Sequence, residues 1–487
     1  MLTKEQFKEA LAAQDILIDF DVVEPKEPEH DTDPNTIIEL KNVRQYFPMG
    51  YGKNRLYVKA VHNVSFKVYK GEVFGLVGES GCGKTTTGRS IIKLYNITDG
   101  QIWYKGNLIS QGTRTFKQNI QKARQSIKDK KKEVAAAIKE LKAAMELQNE
   151  NADAVSELQE LVSELNIRLK EYITSQKAII KSQKENISKS SVINKRNPEL
   201  MNHMQMIFQD PIDSLDPRLT VDEIISEGMV INSKYVKKAN RIKAREAKKA
   251  RQLEIKEAKK AGTYVEEEFE AKELEANVEP ENKLSQKDEM HKKVEDALKL
   301  VGLLPDHASR YPHEFSGGQR QRIGIARALV VNPDVIIADE PISALDVSIQ
   351  AQVINLLNDI RNDFGLTIIF IAHNLSVVRF FCDKIAVMYY GRIVEIAESE
   401  ELFAHPLHPY TKSLLSAVPL PDPDYELKRE RIFYNPSLRP YTDDKPQMVE
   451  IRPGHFISGS KNEIERYEKE LNGEPFDPDP TLGVSHK

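Results

Sequence analysis

Hydrophobic and polar positions change rhythm several times along these 487 residues. From Ile37 the chain runs in short β-rich pieces. "KAVHNVSFKVYKGEVFGLVGESGCGKTTTGRSII" reads as strands, a glycine-rich turn and then a helix. "DGQIWYKG" reads as part of a hairpin. Over residues 114–200 glycine and proline nearly vanish, and the apolar period lengthens. Val134, Ile138, Leu141 and Met145 form one stripe at heptad spacing. Val155, Leu158, Val162, Leu165, Leu169 and Tyr172 form a second. Polar "QNENAD" separates them, which predicts two antiparallel helices that cover each other's stripes. Further on, "VIIADEP" and "LTIIFIAH" are short apolar runs of the kind that form buried strands.

Two stretches carry no such rhythm. Residues 1–35 end in polar, proline-rich "EPKEPEHDTDPNT" and read as a flexible lead-in. Residues 233–290 hold basic "KKANRIKAREAKKARQLEIKEAKKA" and then acidic "YVEEEFEAKELEANVEPEN". That pattern is a solvated helix or a disordered insert. After about 405 the chain is proline-rich and mixed.

Composition narrows the class. Basic and acidic residues, 70 and 74, nearly cancel at a net −4, so no overall charge bias points to nucleic acid. Only two cysteines occur, Cys82 and Cys382, which argues against a disulfide framework and suits a reducing compartment. The start lacks a basic region followed by a long apolar run, so no signal peptide is expected. No segment reaches the roughly 18 consecutive apolar residues of a membrane span.

The chemistry centres on "GESGCGKT", which fits G-x-x-x-x-G-K-[ST] after a strand and before a helix. Its glycines let backbone N–H groups and the helix start face an anion. The candidate phosphate-binding residues are Gly78, Glu79, Ser80, Gly81, Cys82, Gly83, Lys84, Thr85 and Thr86. Lys84 is placed to reach the β- and γ-phosphates of ATP and Thr85 to hold Mg²⁺. Asp339 and Glu340 stand at the end of "VIIADEP", where ligands of such sheets bind. Asp339 suits Mg²⁺, and Glu340 suits polarising an attacking water. Ser316 and Gly317 to Gln319 open a helix in "FSGGQRQRIGIARAL", a second anion cradle in one chain.

That stretch resembles the signature of the ATP-binding-cassette (ABC) ATPases, with Ser316, Gly317, Gly318 and Gln319 matching its core. The resemblance implies an α/β fold: a RecA-like core with an antiparallel β subdomain and a helical signature subdomain. It implies that two ATP molecules lie between two protomers, each signature closing on the other's nucleotide. Gln209 in "MIFQDP" resembles the Q-loop glutamine, which senses Mg²⁺ and the attacking water. Asp346 in "SALD" resembles the D-loop, and His373 the switch histidine at the γ-phosphate. An aromatic before the first strand stacks on adenine in the family; Phe47 is the candidate, with Tyr46 and Tyr57 as rivals.

"HPLHPYTKSLLSAVPLPDPDYE" and the later "VEIRPGHF" resemble the C-terminal extension of ATP-binding subunits of oligopeptide and dipeptide importers, most closely the OppF type. This implies a peripheral ATPase on the cytoplasmic face of the membrane. It pairs with a paralogous ATPase as a heterodimer and drives two permease chains fed by an extracytoplasmic peptide-binding protein. The expected organisation is a lead-in over 1–35, an ATPase over 36–404 interrupted by inserts at 114–200 and 233–290, and an extension over 405–487. Neither insert matches the family. Some relatives hold an iron–sulfur cluster in the extension; no cysteine comes after Cys382, so none is expected here. The heptad insert raises the alternative of a DNA-repair or chromosome-maintenance ATPase. Its place before Gln209, its shortness and the "HPYT" extension oppose that reading. Translation-associated ABC proteins would need two cassettes, and one is found. Dipeptides, nickel chelates or sugars are alternative cargoes.

Overall fold

The computed structural model describes residues 22, 33–50, 55–147, 152–195, 200, 202–231, 286–373, 375–418, 431–439 and 444–485. The expectations for 1–35 and 233–290 therefore fall almost entirely outside the described residues. The chain begins with β1 (Thr36–Met49), β2 (Leu56–Tyr69) and β3 (Val73–Val77), then α1 (Lys84–Ile91). Strands β4 (Asp99–Tyr104) and β5 (Asn107–Gln111) form a hairpin. Its two-residue turn is Lys105–Gly106, both at positive φ, the backbone that matches strand twist. Helices α2 (Arg114–Leu147) and α3 (Ala152–Ile193) come next, then β6 (Met204–Ile207), α4 (Gln286–Leu300) and α5 (Gly317–Leu329). After these stand β7 (Val335–Asp339), α6 (Val347–Phe364), β8 (Thr367–Ala372), α7 (Leu375–Phe381), β9 (Lys384–Tyr389) and β10 (Arg392–Glu398). The end of the chain holds α8 (Ser399–Ala404), α9 (Pro409–Ser416), β11 (Arg431–Tyr434), β12 (Gln447–Arg452), β13 (His455–Gly459), α10 (Lys461–Asn472) and β14 (Leu482–Ser485).

An eight-stranded sheet of order β12-β13-β10-β9-β3-β8-β7-β6 forms the centre. Strands β9, β3, β8, β7 and β6 run parallel, so their carboxyl ends share one edge. Both faces of these strands are covered. Val73, Ile336, Ile368 and Ile385 face one core, while Phe74, Ile337, Ile369 and Ala386 face the other. This period-2 division of continuous apolar runs is what a doubly covered sheet needs. The second core lies against the antiparallel sheet β2-β1-β4-β5.

Helices α2 and α3 make the predicted pair antiparallel. Asn119 bonds Gln183, Ser126 bonds Tyr172, and Leu141 packs with Leu158 and Leu161, so one helix ascends as the other descends. The 42 residues of α3 give a rod about 60 Å long. Leu161, outside the predicted stripe, is buried in the seam beside Leu158. It widens a strict heptad line into the broader face of a globular helix. The base of the rod is tied to β5: the Gln111 N–H donates to Asn194 Oδ1 (2.9 Å), and Asn194 Nδ2 and Ser190 Oγ donate back to Gln111 (each 2.8 Å).

The chain after residue 404 joins the main sheet rather than standing apart. Strand β13 pairs with the edge of β10, matching Glu395 with Ile457. Glu395 is fully buried and accepts from the N–H groups of Leu407 (2.9 Å) and His408 (3.1 Å). His455 Nε2 completes its shell at 2.9 Å. A buried carboxylate needs such donors, and here they come from two separate stretches of chain.

Candidate functional site

The loop 78–83 joins β3 to α1 and passes so close to the backbones of β9 and β2 that only glycine fits at two of its positions. A Cβ on Gly78 would lie 2.2 Å from Met388 O, and one on Gly83 would lie 2.2 Å from Ala60 O. Both residues also have positive φ. Helix α1 starts without a side-chain cap, which leaves its first N–H groups to the loop's concavity. Lys84, nearly buried, donates to the carbonyls of Gly78 (2.8 Å) and Glu79 (2.9 Å).

Three neighbouring parallel strands, β6, β7 and β8, bring the remaining groups to this loop. Thr85 Oγ1 donates to Asp339 Oδ1 at 2.7 Å. Asp339 ends β7 and is fully buried; burial raises its carboxyl pKa, which the Thr85 hydrogen bond partly offsets. Its Oδ2 has no hydrogen-bond partner among the described residues, an open oxygen ligand beside a hydroxyl. This hard-oxygen pair fits Mg²⁺, a cation that takes few protein ligands and leaves positions for phosphate oxygens.

Glu340 comes next with φ +47°, a left-handed backbone that a non-glycine residue adopts at some expense. Its carboxylate lies over the strand ends. Gln209, just beyond β6, donates from Nε2 to Glu340 Oε2 at 3.0 Å. His373, just beyond β8, places Nδ1 3.2 Å from the same oxygen. Lys84 Nζ is 4.0 Å from Glu340 Oε1. The strained backbone at Glu340 was not legible in the sequence; nothing in "VIIADEP" signals it.

Ser316–Gln319 and Asp346 are not drawn to the loop; no hydrogen bond joins them to residues 78–85 among the described residues. Ser316 and Gln319 cap α5 reciprocally: Ser316 N donates to Gln319 Oε1 (3.0 Å) and Gln319 N to Ser316 Oγ (3.4 Å). The Gln319 side chain is thus engaged locally, while the Ser316 hydroxyl keeps its proton to donate. A Cβ on Gly318 would lie 2.7 Å from Ile349 Cγ2, so this turn sits directly on α6. Asp346 is exposed at the start of that helix, and Val347 beside it is 81% exposed.

The aromatic candidates separate. Tyr46 is buried against His62, and the Arg114 guanidinium covers both its ring (5.0 Å) and that of Tyr57 (5.4 Å). Phe47 is half-buried and meets Tyr95 edge-on at 5.3 Å. Glu79, Ser80 and Gly81 are exposed on the loop, and Thr86 is half-buried in the first turn of α1. The Cys82 thiol is buried, which raises its pKa. One contact had no sequence signal: the Glu79 N–H donates to the Tyr410 hydroxyl at 3.0 Å, across 331 positions.

The family described as "ABC transporter" matches residues 61–181 and 168–343. "Oligopeptide/dipeptide transporter, C-terminal region" matches residues 394–439. The chain is 38% identical over 432 residues to the oligopeptide transport ATP-binding protein OppF of Bacillus subtilis, covering 88% of this chain and 98% of that one. It is 40% identical over 435 residues to OppF of Streptococcus pyogenes, covering 89% and 99%. It is 38% identical over 441 residues to the dipeptide transport ATP-binding protein DppF of Lactococcus lactis, covering 90% and 98%.

Proposed function

The chain belongs to the ABC transporter ATPases, in the branch that carries the oligopeptide/dipeptide transporter C-terminal region, and from this we propose that it powers the import of oligopeptides. The observation that carries the mechanism is Glu340, whose carboxylate meets Gln209, His373 and Lys84 at the strand ends.

ATP docks on Gly78–Thr85, and its phosphates take Lys84 from the two loop carbonyls it now binds. Phe47 stacks on the adenine. Thr85 and Asp339 would hold Mg²⁺ with Gln209 alongside, where such an ion would supply charge neutralisation for the phosphates. Glu340 accepts a proton from the attacking water as that oxygen bonds to the γ-phosphorus. The bond from that phosphorus to the bridging oxygen breaks, and its electron pair leaves on ADP. Gln209 and His373 hold Glu340 Oε2 in line and sense the γ-phosphate.

Ser316, with the backbone of Gly317 and Gly318, serves the nucleotide of a paralogous subunit. Gln319 fixes the turn, and Asp346 with Val347 lies at the seam. Among the described residues no hydrogen bond joins these groups to the chain's own loop, which suits this division. An open groove of about 710 Å³ adjoins Gln209, lined by Phe208, Asp213, Glu227, Ile231 and Arg327. It offers one of two permease chains a docking place where movement reaches Gln209. The permeases receive peptide from an extracytoplasmic binding protein, and no nucleic acid takes part. Among the described residues no helix is long and apolar enough to cross a membrane. A peripheral place on the cytoplasmic face suits such a chain. The ATPase spans 36–404, with inserts at 114–200 and 233–290 and the extension over 405–487.

The test is an affinity pull-down of the full chain from detergent-solubilised membranes, with mass spectrometry of the co-purifying proteins. A second HPYT-bearing ATPase and two polytopic membrane proteins are expected. DNA-processing proteins or ribosomes without membrane chains would sink the transport assignment.

A further inference from the structure

The hydrogen bond from the Glu79 N–H to the Tyr410 hydroxyl joins the C-terminal extension to the phosphate loop itself. Tyr410 is 2% exposed, and its ring is packed by Tyr389 at 4.3 Å and Tyr434 at 6.0 Å. Its backbone is equally fixed. His408 Nδ1 accepts from the Tyr410 N–H at 3.1 Å, and the Glu395 carboxylate binds the N–H groups of Leu407 and His408. A buried ring in this cluster would pack as well without a hydroxyl; phenylalanine would serve. The hydroxyl has a separate use, because it takes one loop N–H and sets the plane of one loop peptide.

That peptide is clamped from two sides. Gly78 lies against the Met388 carbonyl, closely enough that a Cβ would stand 2.2 Å from it, and Glu79 hangs on Tyr410. The carbonyls of these same two residues hold Lys84 at 2.8 and 2.9 Å. Whatever orients the Gly78–Glu79 backbone therefore orients the place where the phosphate-binding ammonium waits.

We propose that Tyr410 is a positioning residue for ATP: its hydroxyl holds the phosphate loop in the shape that nucleotide meets, so that a well-seated extension is a condition of tight ATP binding. The inference deepens the reading of Gly78–Thr85 as the ATP site and rests on it. Preorganisation of this kind acts on affinity, not on the bond-breaking step.

The test compares wild type, Y410F and the control S416A in the full chain. Ser416 ties α9 to the Ile432 carbonyl and does not reach the loop. The readouts are the ATP dissociation constant, KM and kcat in the assembled transporter, melting temperature, and amide exchange across residues 78–83. Y410F is expected to weaken ATP binding and raise KM about three- to tenfold, the worth of one hydrogen bond. Its kcat stays at the wild-type value and its melting temperature falls no further than that of S416A, while exchange at the loop accelerates. S416A is expected to lower the melting temperature and leave KM unchanged. Unchanged ATP affinity in Y410F, with wild type binding normally, overturns the inference alone. So does a loss of affinity in Y410F that S416A reproduces, since that would be general loosening. Wild type that takes up no ATP overturns the ATP-site reading, and this inference with it.

Discussion

Asp339 Oδ1 accepts a 2.7 Å hydrogen bond from Thr85 Oγ1, while its Oδ2 is buried with no hydrogen-bond partner among the described residues. A buried carboxylate oxygen is expensive to leave unmatched, and the carboxyl answers with a raised pKa. The arrangement is half of a ligand set that a hard cation and phosphate oxygens complete.

Asp339→Asn keeps the shape and removes the charge. The Mg²⁺ concentration for half-maximal ATP hydrolysis should rise about tenfold or more. Titration of Mg²⁺ at saturating ATP checks this; an unchanged midpoint would remove Asp339 from the ion's site.

Glu340→Gln keeps the hydrogen-bonding shape and removes the base. Hydrolysis should fall about 10²- to 10⁴-fold, while ATP affinity stays within a few-fold. The variant should accumulate with ATP in a closed pair of subunits, visible by size-exclusion chromatography with nucleotide analysis. Rapid turnover at the site it contributes would refute Glu340 as the base.

Thermal stability should pass through a maximum with pH. Burial lowers the pKa of His455, but Glu395 and then Glu401 outweigh it and leave the net value raised. That pair stabilises the fold fully below the unfolded value of about 6.5. The stabilisation is lost as pH rises through the raised folded value. His408 behaves oppositely. Burial first, then neighbouring Arg439, lowers its pKa to about 3, so stability falls as pH drops below about 6.5. Melting curves across pH 4–9 should show both limbs. His455→Gln should flatten the alkaline limb. His408→Asn, which keeps a capping acceptor, should flatten the acid limb. Limbs unmoved by either change would place the titration elsewhere.

Replacing residues 114–193 by a short polar linker should leave ATP affinity within about twofold. The helix pair returns to β5, where Asn194, kept in the variant, bonds Gln111, so the linker spans a small gap and closure entropy is modest. Transport or complex assembly should change if the rod touches a partner. Wild-type behaviour in both assays would leave it as a tolerated protrusion.

The sequence by itself determined the parts that are local. The phosphate loop is legible because glycine spacing, lysine and threonine must be contiguous to wrap an anion. Buried strands are legible as unbroken apolar runs, and α2 and α3 as stripes of helical period, with Leu161 missed because strict heptad counting is narrower than a real helix face. Tertiary structure alone decided how these parts meet. Gln209, Glu340 and His373 converge because β6, β7 and β8 are parallel neighbours, and strand order is a property of the sheet that no stretch of chain encodes. It also decided that Glu340 turns through a left-handed backbone, that Gln319 caps its own helix, and that the carboxylate of Glu395 gathers Leu407, His408 and His455. The bond between Glu79 and Tyr410 belongs with these. A hydrogen bond between residues 331 positions apart leaves no local pattern, because its geometry is set by the packing of everything between.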